Sequence, residues 1–274
     1  MSDAYAVIGN PITHSKSPLI HTEFSKQTKQ DMHYEAIFAP LNGFTEAIKL
    51  FQQNDGKGMN VTIPFKFDAY KISTQLTEQA KAAQAVNTLV FDGNEIYGHN
   101  TDGTGLIRDI ITNLGFTITA KRILLCGAGG AASGIILPLL KQKPSMLVIA
   151  NRTVQKAHKL QNQFSSYDNN IVSGNYEDVA GKIFDLVINA TSASLIGKSL
   201  LLPKGIFATG SLAYDLMYGN EQTPFLQLAQ KEGAVYLSDG AGMLVEQAAE
   251  SFFLWRGIRP ETKELIKTLR ESKS

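Results

Sequence analysis

Gly127, Gly129 and Ala132 recur at the spacing G-x-G-x-x-G/A within Arg122-Ile-Leu-Leu-Cys-Gly-Ala-Gly-Gly-Ala-Ala-Ser-Gly134. The first glycine permits a tight turn. The second lets a pyrophosphate approach the backbone, and the small third residue lets helix and strand close together. The apolar run Ile123 to Cys126 has the length of a buried strand, and Ile135, Ile136, Leu139 and Leu140 follow at helical spacing. Strand, turn and helix open a dinucleotide-binding βαβ unit, with the anion on the free N–H groups of the helix start. Ile123 to Leu140 carries no charge, but its four glycines and Pro138 argue against a membrane span.

A site for NAD usually carries Asp or Glu about 20 residues past the glycines, to accept from the ribose 2′-OH. Here the second strand, Met146 to Ala150, runs into Asn151-Arg152-Thr153, with Lys156 one turn on. A guanidinium, a hydroxyl and an ammonium suit a 2′-phosphate. A charge-assisted hydrogen bond contributes about 1.5–3 kcal/mol, so Arg152 favours NADP over NAD tenfold or more.

Two further polar residues lie in the first half, at strand ends in loops. Lys66 closes Gly58-Met-Asn60-Val-Thr62-Ile-Pro64-Phe-Lys66, where Asn60 and Thr62 share one face of an alternating strand. Asp102 stands in Asn100-Thr-Asp102-Gly103. Singly, a lysine is a surface residue and an aspartate before glycine a helix cap. Together, beside polar clusters that burial does not explain, they mark a site.

The elements that must position these residues alternate. Tyr5 to Ile8 reads as a strand ending in a hydroxyl-rich loop, Gly9 to Pro18, and Pro18 begins a helix through Thr28. His33 to Phe38 is a strand and Phe44 to Phe51 a helix; Glu78 to Ala85 is helical. Val86 to Phe91 and Glu95 to Gly98 form a hairpin across Asp92-Gly93, and a connector helix runs from Thr104 to Leu114. Beyond the glycine turn, Val154 to Phe164 and Thr223 to Glu232 read as helices. Ile171 to Ser173, Asp185 to Asn189, Thr209 to Leu216 and Ala234 to Leu237 read as strands. Gly240 to Trp255 and Glu261 to Leu269 close the chain as helices. The pattern predicts an α/β protein: a Rossmann-type doubly wound NADP-binding domain and an α/β substrate domain with a mainly parallel sheet. Residues 1–102 plus 243–274 form the substrate domain and 103–242 the nucleotide domain.

The chain has 274 residues, 43% hydrophobic and 19% charged, enough for two cores of ordinary globular composition. A net charge of +1 without a basic block leaves no footprint for nucleic acid or an anionic membrane. The single cysteine, Cys126, lies in the apolar strand and has no internal partner for a disulfide; Asp3 interrupts any signal core. A cytoplasmic protein is expected. His14, His21, His33, His99 and His158 show no metal-ligand spacing, so no metal site is expected, and His99 reads as a loop histidine.

Ser15-Lys-Ser17-Pro18, Asn60-Val-Thr-Ile-Pro-Phe-Lys66, Ala85-Val-Asn87-Thr88, Asn100-Thr-Asp102-Gly103, Gly127-Ala-Gly-Gly130, Asn151-Arg-Thr153, Asn189-Ala-Thr-Ser192, Tyr214-Asp215, Thr223-Pro-Phe-Leu226 and Gly242-Met-Leu-Val245 with Gln247 occur in this order. In these motifs the chain resembles the NADP-dependent, biosynthetic shikimate dehydrogenases from about Val7 to Gly257. After Asn189-Ala-Thr-Ser192 that family has small residues and glycine, whereas here Ala193-Ser194-Leu195 intervene.

The resemblance implies reversible reduction of 3-dehydroshikimate to shikimate by NADPH, a step toward aromatic amino acids. It makes Lys66 and Asp102 the acid–base pair, leaving open which is formally acid. It implies that Ser15, Ser17 and Tyr218 hold the substrate carboxylate, and that Thr62, Asn87, Asp102 and Gln247 hold the ring hydroxyls. Gly127, Ala128, Gly129, Gly130 and Ala131 would take the pyrophosphate. Asn151, Arg152, Thr153 and Lys156 would take the adenosine phosphate; Leu216 and Gly240 would flank the nicotinamide, with Glu78 near the cofactor. The partner is then a small molecule, and the protein a monomer or homodimer. A quinate/shikimate dehydrogenase using NAD, or a nucleotide-binding regulatory module without turnover, are the alternatives.

Overall fold

The computed structural model describes residues 2–193 and 200–271. Ser194 and Leu195, which depart from the family pattern, lie outside the described residues.

Two six-stranded sheets organise the chain. The first is built from β1 (Asp3–Gly9), β2 (Met32–Phe38), β3 (Gly56–Val61), β4 (Gln75–Leu76), β5 (Thr88–Asp92) and β6 (Glu95–His99). Its order is β2-β1-β3-β5-β6-β4, parallel except where β5 runs against β3 and β6. Helices α1 (Ser17–Thr28), α2 (Phe44–Gln53), α3 (Lys66–Ile72) and α4 (Glu78–Ala83) accompany it, and α5 (Asp102–Arg108) leads out of it, burying Leu106 in the core of the second sheet. The second sheet holds β7 (Arg122–Cys126), β8 (Met146–Ala150), β9 (Ile171–Gly174), β10 (Phe184–Asn189), β11 (Phe207–Asp215) and β12 (Tyr236–Ser238). Its order, β12-β11-β10-β7-β8-β9, is wholly parallel. With α6 (Gly130–Lys141), α7 (Val154–Phe164) and α8 (Pro224–Lys231) it is the doubly wound, Rossmann-type arrangement. The strand order reverses between β7 and β10, which opens a crevice at their carboxyl ends.

A parallel sheet covered on both faces explains why β7 reads as an unbroken apolar run. Ile123 and Leu125 pack with α6 residues Ile135, Ile136 and Leu139. Leu124 and Cys126 face the other way, toward Phe184, Phe225 and Ala229. Each such side chain, fully buried, contributes about 1.5–3 kcal/mol. Burial pushes the Cys126 thiol upward, as expected of an inert core cysteine.

The chain then returns. Helix α9 (Ala241–Arg256) and α10 (Lys263–Glu271) leave the second sheet, and Val245, Ala248 and Phe252 of α9 pack with Ile20 and Phe24 of α1. The Trp255 indole donates to the Leu89 carbonyl at 3.0 Å.

Several boundaries differ from those expected. The strand through Met59 ends at Val61, so Thr62 stands beyond it in a turn closed by Phe65 N–H on the Thr62 carbonyl (3.0 Å). Lys66 begins α3 rather than standing in a loop, and Asp102 begins α5. The hairpin pairs Asp92 with Glu95, which puts Gly93 and Asn94 in the turn. Helix α4 stops at Ala83, where Gln84 takes a left-handed conformation. The connector is α-helical only to Arg108, then widens into a π turn over Asp109–Asn113. His99 is the last residue of β6, not a loop residue, and burial lowers its pKa.

Candidate active site

A cleft of about 1090 Å³ lies between the two sheets. Lys66 and Asp102 meet on its wall: the Lys66 ammonium donates to Asp102 Oδ2, and both side chains are mostly buried. Their backbones are fixed from the same side. The Lys66 carbonyl accepts from Val86 N–H at 2.9 Å, and Asp102 N–H donates to Asn100 Oδ1 at 3.2 Å. The Asn100 amide in turn donates to the Ala85 carbonyl at 2.9 Å. The polar residues around Asn87 and Asn100 thus clamp the two helix starts together.

Asn87 is the hub of this cluster. Its amide donates to Asp102 Oδ1 at 2.8 Å and to Thr101 Oγ1 at 2.9 Å, and lies 3.3 Å from Gln247 Oε1. Its oxygen accepts from Thr101 N–H at 2.8 Å. Beneath it, the Asn60 amide reaches Thr88 Oγ1 at 3.1 Å and Ser251 Oγ at 3.0 Å, while the Tyr34 hydroxyl donates to Asn60 Oδ1 at 2.7 Å. A buried network with its partners filled holds side chains in one arrangement. Asn60 and Thr62 both line the cleft, Asn60 from the strand, where it is tied into this network, and Thr62 from the turn.

More of the wall comes from the loop after β1 and the segment after β11. Ser15 and Ser17 line the cleft, with Ser17 N–H on Ser15 Oγ at 3.3 Å. Tyr218 lines it from across, and burial raises the Tyr218 phenol pKa. Two hydroxyls and a phenol offer donors to a carboxylate without bringing a competing charge.

The glycine turn lies beside the Lys66–Asp102 pair: a Cβ on Gly130 would fall 3.7 Å from the Lys66 Cβ. Gly127 has φ +115°, and a Cβ there would fall 3.0 Å from the Ala190 carbonyl, so the turn requires glycine. A Cβ on Gly129 would meet nothing, leaving backbone open to the cleft before α6 begins at Gly130. Ala128 and Ala131 also line the cleft, and Asn151 and Arg152 line it beyond the end of β8. An open cradle at a twelve-residue helix start, with a guanidinium beyond it, fits a phosphorylated dinucleotide. Leu216 and Gly240 also line the cleft, Leu216 held by its N–H on the Asn189 carbonyl (2.9 Å) and Gly240 by its N–H on the Met217 carbonyl (3.1 Å).

Comparison with known proteins settles the family. The model described as shikimate dehydrogenase substrate binding domain matches residues 7–89, that described as shikimate / quinate 5-dehydrogenase matches 110–199, and that described as shikimate 5'-dehydrogenase C-terminal domain matches 240–270. The shikimate dehydrogenase (NADP(+)) of Nitrosospira multiformis is 63% identical over 272 residues, covering 99% of this chain and 98% of that protein. The chain belongs to the shikimate dehydrogenase family. Solved structures share its two-domain fold. An Ael1 enzyme from Pseudomonas putida superposes with a TM-score of 0.91 at 47% identity, covering 98% of each chain. The shikimate 5-dehydrogenase of Thermus thermophilus, in complex with NADP(H) and shikimate, gives 0.87 at 28% identity, covering 98% of this chain and 99% of that one.

Three of the expected site residues are not on the cleft wall. Glu78 pairs with Lys141 at 2.6 Å, tying α4 to α6. Thr153 is the N-cap of α7 and accepts through its carbonyl from the Asn151 amide at 2.8 Å. Lys156 lies further along that helix, exposed. Conversely, Phe67, Tyr176, Met217 and Met243 line the cleft, although their residue types alone do not mark them as site residues. Phe67 follows Lys66 directly, and Tyr176 stands two residues past β9, at the carboxyl end where such a sheet binds ligands. Only those positions in the sequence point to the cleft. Among the described residues, no helix is long and apolar enough to cross a membrane.

Proposed function

We propose that this chain catalyses the reversible NADPH-dependent reduction of 3-dehydroshikimate to shikimate, with Lys66 and Asp102 as its acid–base pair. The observation that carries the reading is that pair, closed on itself on the wall of a cleft that an open glycine cradle also lines. When bound, NADPH supplies the hydride, and its oxidised form accepts it in the reverse direction. As the ketone carbon gains hydride, the C=O π electrons move to oxygen. Lys66 Nζ stabilises that charge and gives the oxygen a proton, forming the hydroxyl. In the oxidative direction Lys66 takes the proton back. Asp102 orients the ammonium through Oδ2 and is itself held by Asn87 through Oδ1.

Ser15, Ser17 and Tyr218 bind the substrate carboxylate; Thr62, Asn87, Asp102 and Gln247 bind the ring hydroxyls. Gly127 to Ala131 hold the pyrophosphate, Asn151 and Arg152 the adenosine phosphate, and Leu216 and Gly240 the nicotinamide face. Residues 1–102 with 243–274 form the substrate domain and 103–242 the nucleotide domain; packing of α9 on α1 supports that division. The protein works in the cytoplasm, as a monomer or homodimer.

Purified protein given shikimate with NADP, then shikimate with NAD, then quinate with each, tests the reading by the near-ultraviolet absorbance of reduced nicotinamide. Turnover of shikimate with NADP is expected to exceed every other pair. A preference for quinate or NAD would make it a quinate/shikimate dehydrogenase, and silence with every pair would make it a regulatory module.

A further inference from the structure

Asp109 is a fully buried carboxylate that lies off the cleft wall and that the reaction does not use. It stands where α5 gives way to the π turn. Its Oδ2 accepts from the Tyr214 hydroxyl at 2.7 Å, and its Oδ1 from the Asn113 amide at 3.0 Å. The Arg270 guanidinium lies 3.7 Å from Oδ2. Taking a carboxylate out of water costs several kcal/mol, offset only when such partners are in place. A residue of this cost, inside a π turn, is a candidate for a role in the site.

Its neighbours are the residues that start α9. A Cβ on Gly242 would fall 2.0 Å from Asp109 Oδ1, so the carboxylate occupies the space over the first turn of α9. The Tyr214 hydroxyl, while donating to Asp109, accepts from Met243 N–H at 3.3 Å. The connector grips α9 a second time: the Asn113 amide of the π turn also reaches Glu246 Oε1 at 3.1 Å, and Nε of Arg108, the last residue of α5, reaches Glu246 Oε2 at 2.9 Å. One residue beyond Glu246 stands Gln247, facing the cleft and the Asn87 amide. Tyr214 itself stands on β11, two residues before Leu216, so its hydroxyl ties that strand to the connector and to the returning helix.

We infer that Asp109 and Tyr214 are positioning residues for the substrate: their clasp sets the start of α9 and, through that rigid helix, the place of Gln247. The inference rests on the functional reading above, in which Gln247 binds a ring hydroxyl. A misplacement of about 1 Å in a substrate-holding group is enough to cost up to a hundredfold in rate.

Tyr214→Phe removes one oxygen and keeps the ring. Shikimate affinity by calorimetry and kcat/KM are measured in the native background and in Gln247→Ala. Tyr214→Phe is expected to weaken shikimate about tenfold alone, and under about twofold when Gln247 is already gone, because residues acting through one group are not additive. Equal losses in both backgrounds would overturn the inference, as would a lowered melting temperature with native shikimate affinity. If Tyr214→Phe does not fold, Asp109→Asn goes through the same cycle under the same criteria. Native protein that turns over no shikimate would remove the functional reading and the clasp with it; native turnover with additive losses would remove the clasp alone.

Discussion

The Asn87 amide donates to Asp102 Oδ1 at 2.8 Å, so the carboxylate that holds Lys66 by one oxygen is held by the other. An aspartate this buried is oriented by its partners, and loss of one leaves an acceptor without water to replace it. That costs about 1–3 kcal/mol. Asn87→Ala is therefore expected to lower kcat/KM for shikimate by roughly 10- to 100-fold. Steady-state kinetics check it; a change under threefold would mean that Asp102 needs no such support.

Arg152 lines the cleft past β8, where no carboxylate stands in Asn151-Arg152-Thr153. Arg152→Ala is expected to raise KM for NADP by about tenfold or more and to leave KM for NAD within about twofold, since only the 2′-phosphate loses a charge-assisted bond. Equal losses for both nucleotides would place Arg152 elsewhere in recognition.

His21 gives the protein a pH dependence that lies outside the cleft. It is buried in α1 and stacked on Tyr34 with ring centroids 4.1 Å apart, and burial lowers its pKa from 6.5 to about 3. Above pH 6.5 the imidazole is neutral folded and unfolded, and its share of stability is fully present. Between 6.5 and about 3 the unfolded chain takes a proton that the native one refuses, so stability falls as pH falls. The slope from this one residue reaches about 1.4 kcal/mol per pH unit. Urea unfolding at about pH 7 and about pH 5 should show a smaller drop in His21→Phe than in the native protein. An identical drop would mean that His21 is solvated in the folded state.

The sequence pattern announced the second sheet well, because a strand buried on both faces leaves an unbroken apolar run and the glycine turn fixes where its helix starts. Met146, Val154 and Phe164 fell at or near element ends as expected. The first sheet was less legible around the site. Pro64 reads as a stop, which hid α3 starting two residues later at Lys66. Strand alternation carried Thr62 into β3, although the chain leaves the sheet after Val61. The Lys66–Asp102 pairing came from motifs and the family they resemble, since 36 residues separate them and local pattern holds no information on that contact. Asp109 had no signal: a helical period continues smoothly through Ile107, Ile110 and Ile111, and a π turn is set by what packs against it. Glu78 shows the converse, a family position that here meets Lys141 rather than the cleft wall.

The most direct test of the account is Lys66→Ala. Shikimate oxidation with NADP is followed by nicotinamide absorbance, and shikimate affinity is measured on the same variant by calorimetry. Because the ammonium acts on charge that develops in the transition state, turnover should fall about a thousandfold while affinity stays within about tenfold. Turnover within about tenfold of native would remove the lysine from the chemistry and contradict the account.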